Sequence, residues 1–200
     1  MLAPAELNSK VNLEKACILL IERGQHNLDI LSQIVKGFGA GNLVRCLSAQ
    51  EAKDTLVRKP VDLVIAEPNL EGEDGLELVR WLRASPLEPN RFTSVALIMG
   101  HTSVGRIEAA RDCGANVVIA KPLKPAVLLS RILRIARDER AFVETANYIG
   151  PDRRFKFEGP PMGVAGRRST DLNSPIGDAS EPNLSQDDID AFMRPQRIQL

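Results

Sequence analysis

The sequence predicts an α/β fold: a doubly wound five-stranded parallel sheet with helices on both faces, followed by a C-terminal tail that is disordered for most of its length. Three observations carry this expectation. Short apolar runs recur five times, four of them unbroken and the second interrupted by Arg45, each closed by polar, glycine or proline residues, as the strands of a covered parallel sheet require. Segments with apolar residues at helical spacing separate these runs, and alternation of strand and helix implies parallel pairing through crossover helices. After Asn147 the composition changes: proline, glycine, serine and arginine dominate to about residue 183, with no apolar periodicity.

In chain order, residues 1–15 carry Leu2, Leu7, Val11 and Leu13 among polar neighbours, enough for a leading helix or arm. Ala16 to Ile21 is the first strand, stopped by Glu22-Arg23-Gly24. Leu28, Leu31 and Val35, with Ile30, Ile34 and Phe38, mark the first helix, which Gly37, Gly39 and Gly41 end. Leu43 to Leu47 is the second strand. Ser48 followed by Glu51 is a capping-box pattern, and Pro60 must stop the helix it opens. Val61 to Ala66 is the third strand, and Gly75 to Ala84 a helix with Leu76, Val79 and Leu82 inward. Val95 to Met99, Ser103 to Cys113 and Asn116 to Ala120 supply the next strand, helix and strand, the last ended by Lys121-Pro122. Pro125 stands in the first turn of a helix predicted to run to about Val143. The expected organisation is a domain over 16–146, a Pro/Gly/Arg-rich linker over 147–183 and a short docking-helix motif over 184–194.

Composition excludes several function classes. The chain has 26 Lys and Arg against 26 Asp and Glu, so no global field draws it to nucleic acid or an anionic membrane. No apolar run approaches the roughly 20 residues of a membrane span, and no leader pattern opens the chain, which gives the expectation of a cytoplasmic protein. Cys17, Cys46 and Cys113 are odd in number and lie in apolar contexts, which reads as core packing in a reducing compartment. His26 and His101 have no partner at triad or metal spacing, and no phosphate-binding glycine loop is present, so neither a metal site nor a catalytic site is expected. The arginine pairs Arg153-Arg154 and Arg167-Arg168 lie near aromatics, but Asp152 and Glu158 dilute their charge, so a solvated linker is expected rather than a nucleic-acid contact.

In an open parallel sheet, ligands bind beyond the carboxyl ends of the strands. Glu22 and Arg23, Glu67, Met99 and Gly100, and Lys121 fall there, a pocket with two carboxylates and two cations. Such a cluster can bind a metal, carry a phosphoryl group or neutralise itself. Asp62 to Gly75, DLVIAEPNLEGEDG, together with Lys121-Pro122, resembles the response-regulator receiver family, the CheY-like module. The resemblance implies the strand order 2-1-3-4-5 and covers roughly Ala16 to Ala146. It also implies an acidic pair after the first strand that holds Mg²⁺, an acceptor aspartate after the third, a hydroxyl after the fourth, an aromatic in the fifth, and the Lys-Pro.

This chain keeps Glu22 but has Arg23 for the second acid, Glu67 for the acceptor, Met99 for the hydroxyl and Val118 for the aromatic. A guanidinium puts fixed positive charge where Mg²⁺ sits, so no metal cofactor is expected. Glutamate carries its carboxylate roughly 1.5 Å further out than aspartate, which spoils in-line transfer. Methionine cannot donate a hydrogen bond to a phosphoryl oxygen. The expectation is a degenerate pseudo-receiver in which Glu67 pairs with Lys121 or Arg23 and imitates part of a phosphorylated state, or in which the two merely fill a decayed pocket.

Leu184 to Met193, LSQDDIDAFM, has helical logic of its own. Ser185 serves as N-cap and Asp188 reaches back to it, Leu184 and Ile189 take the staple positions, and Ile189, Phe192 and Met193 form one apolar stripe. The segment is too short to be stable alone and is expected to fold by docking into a groove. Leu184, Ser185, Gln186, Ile189 and Asp190 resemble the N-terminal LSQxxID segment of the flagellar motor-switch protein FliM. That segment binds a CheY-like receiver on the face of its fourth helix, fifth strand and fifth helix. The implied function is a non-catalytic signalling adaptor in two-component, chemotactic or motility signalling, whose tail binds a receiver domain, histidine kinase or motor component, or its own domain; a homodimer is left open. The alternative is a working receiver that phosphorylates itself through Glu67, or through Asp62 or Glu22 in an unusual arrangement. No helix-turn-helix follows residue 147, which argues against a transcription factor.

Overall fold

A computed structural model describes residues 13–138, 140–145, 148–153 and 184–193; nearly all of the expected leading arm and most of the expected linker lie outside the described residues. Strands β1 (Cys17–Ile21), β2 (Asn42–Cys46), β3 (Leu63–Ala66), β4 (Ser94–Met99) and β5 (Val117–Ala120) form one parallel sheet in the order β2-β1-β3-β4-β5. Helices α1 (Gln25–Gly37), α2 (Ala49–Arg58), α3 (Gly75–Ala84), α4 (Val104–Asp112) and α5 (Pro125–Ala136) complete the alternation.

The two-residue period of a strand sends alternate side chains to opposite faces, and β1 uses it to build two cores. Leu19 and Ile21 pack with Leu56, Leu76, Val79 and Ile107 on the side of α2, α3 and α4. Ile18 and Leu20 pack with Leu28, Val35, Leu128 and Ile132 on the side of α1 and α5. Cys17, Cys46 and Cys113 are buried free thiols. Local signals stop and start the helices as expected. Ser48 Oγ accepts from Glu51 N–H at 3.2 Å, while the Glu51 carboxylate takes the Leu47 N–H at 2.9 Å, so the box closes one residue earlier than its usual form.

The chain departs from expectation after α5, which ends at Ala136 rather than near Val143. Asp138 takes the Arg140 N–H at 3.2 Å and its Nε at 2.7 Å, closing a local turn that leaves the helix path. Strands β6 (Phe142–Thr145) and β7 (Tyr148–Pro151) then pair antiparallel, so ordered structure runs past residue 147, where the linker was expected to begin. Phe142, Val143, Thr145, Tyr148 and Ile149 are aromatic or β-branched, the types that suit a pleated, half-buried surface.

Tertiary contacts decide between helix and hairpin. The Phe142 ring lies 4.9 Å from the Arg83 guanidinium and meets Phe92 edge-on at 5.6 Å. Arg153 stacks 3.7 Å over Tyr148 and pairs with Asp112 at 2.7 Å, which ties one member of the first arginine pair to the domain. Gly114, at φ +93°, lets β7 approach so closely that a Cβ there would lie 2.5 Å from the Ile149 carbonyl oxygen.

Candidate functional site

Glu22, Glu67 and Lys121 each follow the last residue of a strand, and each backbone N–H still bonds to the neighbouring strand. Glu22 N donates to Cys46 O at 3.2 Å, Glu67 N to Ile21 O at 2.9 Å and Lys121 N to Met99 O at 2.7 Å. The ladder therefore fixes three backbones at the carboxyl edge of the sheet, the first two on neighbouring strands and the third beyond β4, and their side chains converge. Lys121 Nζ lies 3.0 Å from Glu67 Oε1 and 3.5 Å from Glu22 Oε1. The loop from Glu67 folds back tightly: Gly75 N donates to Pro68 O at 2.6 Å, and a Cβ on Gly75 would lie 2.7 Å from the Glu67 carbonyl oxygen.

The two carboxyls are driven apart electrostatically. Burial, then the hydrogen bond with Glu67, raises the Glu22 pKa to about 8, against the pull of Lys121. Burial also opposes ionisation of Glu67, but the Glu22 hydrogen bond, Lys121 and Arg23 together overcome it and leave its pKa lowered. At neutral pH the pocket holds a neutral acid, a carboxylate and an ammonium, a set that balances its own charge. Among the described residues Glu22 Oε2 is buried without a hydrogen-bond partner, as suits an oxygen of a carboxyl held neutral.

The remaining expected members are more dispersed. Arg23 is exposed at the rim, where it faces Asn69, Glu73 and Asp74, and Gly100 is exposed in the loop after β4. The Met99 side chain packs into the core rather than the pocket, so only its carbonyl serves the site. Asp62 lies at the opposite, amino end of β3, with its carboxylate on the Cys17 N–H at 2.7 Å. Five residues of extended chain, roughly 16 Å, separate it from Glu67, so the expectation that Asp62 could serve as an alternative acceptor in this pocket is corrected. His26 and His101 are exposed, and among the described residues no group of three or more His, Cys, Asp or Glu is placed to share a metal ion.

The tail segment forms α6 (Gln186–Met193), which lies on α4 and β5. Its start is built as the residues imply: Ser185 Oγ accepts the Asp188 N–H at 3.3 Å, and the Asp188 carboxylate accepts the Ser185 N–H at 3.2 Å. Ile189 and Met193 are buried in the core cluster of the domain, with Leu184 and Phe192 packed against it. The Gln186 amide donates to Val118 O at 3.0 Å and accepts from Ala120 N at 2.7 Å. Leu184 N donates to Thr102 O at 2.9 Å while the Thr102 hydroxyl donates to Leu184 O at 2.9 Å, and Arg131 pairs with Asp190. Sequence reasoning missed Thr102 and Arg131. The Thr102 hydroxyl stands three residues beyond Met99, and Arg131 is one of several arginines on α5, so neither carried a local signal.

A five-stranded parallel sheet of this order, with carboxylates after β1 and β3 and a Lys-Pro after β5, defines the receiver class of signalling domain. The chain belongs to the response regulator receiver domain family, whose model matches residues 18–133. It is 24% identical over 144 residues to the sensory/regulatory protein RpfC of Xanthomonas campestris pv. campestris, covering 72% of this chain and 20% of that one. It is 36% identical over 83 residues to the transcriptional regulatory protein AruR of Pseudomonas aeruginosa, covering 41% and 32%. The chain thus spans a third or less of these curated relatives. Among solved structures, a putative response regulator from Chloroflexus aurantiacus matches at 27% identity and TM-score 0.56, over 62% of this chain and all (100%) of that one. The chemotaxis response regulator CheY4 of Vibrio cholerae matches at 21% and 0.55, over 60% and 98%, which shows the shared fold. The chain carries a receiver domain of two-component signalling, and none of these matches points to an enzyme family.

Proposed function

We propose that this chain is a cytoplasmic, non-catalytic adaptor of two-component signalling, tied to chemotaxis or motility, whose receiver pocket takes no phosphoryl group. Its tail binds a receiver-type or motor partner. The observation that carries the first part is the Lys121 ammonium, 3.0 Å from Glu67 Oε1, held between two carboxyls that balance it. The family implies Mg²⁺, and the residues present do not fit it. Hard cations need several oxygen ligands, whereas Glu67 and Glu22 both face the Lys121 ammonium and Arg23 brings a guanidinium to the rim. The last side chain of β4 is the core-packed Met99, with no hydroxyl to hold a phosphoryl oxygen.

Support for the partner-binding tail is the residue-specific LSQxxID pattern, whose Leu184, Gln186, Ile189 and Asp190 all make defined contacts to a receiver face in this chain. The protein, incubated with a small acyl phosphate and Mg²⁺, is expected to gain no phosphoryl mass. Glu67→Asp is expected to remain unmodified too, because Arg23 and Met99 persist. A stoichiometric, Mg²⁺-dependent adduct on Glu67, read by intact and peptide mass spectrometry, would establish the phosphorylatable alternative instead.

A further inference from the structure

The contacts of α6 divide into two kinds. Ile189 and Met193 supply apolar burial that any amphipathic helix could give, whereas three polar contacts read features particular to this face. Gln186 spans Val118 O and Ala120 N, a carbonyl and an amide two residues apart on the free edge of β5. One side-chain amide thereby does what an added strand does at a sheet edge, satisfying a donor and an acceptor together. Thr102 exchanges hydrogen bonds in both directions with Leu184, and Arg131 neutralises Asp190. Asp190 also accepts from Gln186 Nε2 at 3.1 Å, which orients the amide for the strand. Burial lowers the pKa of Arg134 while Asp190 opposes that shift, so a second cation of α5 stands near the same carboxylate.

We infer that the tail is a stored ligand: the segment that engages a partner is held on its own α4–β5–α5 face, so partner binding proceeds by exchange against this cis contact. The partner able to take it presents the same chemistry, an open strand edge with a free carbonyl and amide two residues apart, a hydroxyl-bearing loop and an arginine. This rests on the tail being a partner-binding element, as proposed above. An eight-residue helix is marginal in water, so docking and helix formation are one event. A segment that is helical only when seated cannot occupy its own face and a partner's at once.

The test uses the full chain and no partner protein. Ile189→Asp removes the central buried side chain of α6, and the milder Gln186→Ala removes only the edge-strand contact. Each is expected to raise hydrogen exchange at the Ala120 amide at least tenfold while leaving the Leu19 amide of β1 unchanged. A fluorescent peptide of residues 181–196 is expected to bind the Ile189→Asp chain at least tenfold more tightly than the wild-type chain, whose face is filled, and to restore protection at Ala120. A smaller rise at Ala120 in both variants, or a peptide affinity ratio below tenfold, overturns the inference. A pull-down that recovers no receiver or motor partner would remove the proposed function and leave this result standing.

Discussion

Replacing Glu22 by glutamine will stabilise the protein at pH 8 and flatten its stability between about pH 5 and 8. In the folded chain Glu22 keeps its proton up to about pH 8, whereas an unfolded glutamate loses it near 4.5. Between those values the folded state binds more protons than the unfolded one, so the wild-type chain loses stability as pH rises. Glutamine keeps a donor for Glu67 and an acceptor facing Lys121, and it has no proton to lose. The expected gain at pH 8 is on the order of 3 kcal/mol, shrinking towards zero near pH 4.5. Glu67 acts in the opposite sense. Its folded pKa is lowered, so its contribution is complete above the ordinary value of 4.5 and is lost as pH falls through the folded value. Urea unfolding at several pH values reads both effects. Parallel curves for wild type and Glu22→Gln would show that Glu22 is already ionised in the folded chain.

Arg83→Met will cost on the order of 4 kcal/mol and release the β6–β7 hairpin. Arg83 is 2% exposed, and its guanidinium donates to Arg91 O at 2.6 Å, Thr93 O at 2.8 Å and Gly114 O at 3.0 Å. Burial lowers its pKa only to about 10, so it remains charged at neutral pH. Methionine fills the space and abandons those carbonyls together with the stacking on Phe142. Arg83→Lys is expected to recover less than half of the loss, because one ammonium cannot span acceptors placed for a planar fork. Denaturant unfolding measures the total, and hydrogen exchange at Val143 and Ile149 shows whether the hairpin loosens first. An unchanged midpoint for Arg83→Met would mean that water replaces the guanidinium without loss.

The site was legible in part. Glu22, Glu67 and Lys121 could be placed together because each follows a short apolar run, and parallel strands bring their carboxyl ends to one edge. Met99 was misplaced by the same logic. It is the last residue of β4 rather than the first beyond it, so its side chain points into the core. The hairpin was missed because apolar residues from Pro125 to Val143 support a helix as readily as a helix followed by a strand. Arg83 under Phe142, a contact between residues far apart in sequence, favours the second.

The sequence by itself determined the sheet, the order of its helices, the cap of the tail helix and the meeting of Glu22, Glu67 and Lys121. These depend on periodicity, turn chemistry and capping within a few residues of each other. Tertiary structure alone decided that the Glu22 pKa is raised and that of Glu67 lowered, because those directions follow from burial and from which groups meet across three strands. It alone also decided where the tail rests. Gln186 finds Val118 and Ala120 at sequence separations of 68 and 66 residues, and no local pattern encodes a free strand edge. An edge exists only once the other four strands have taken their places.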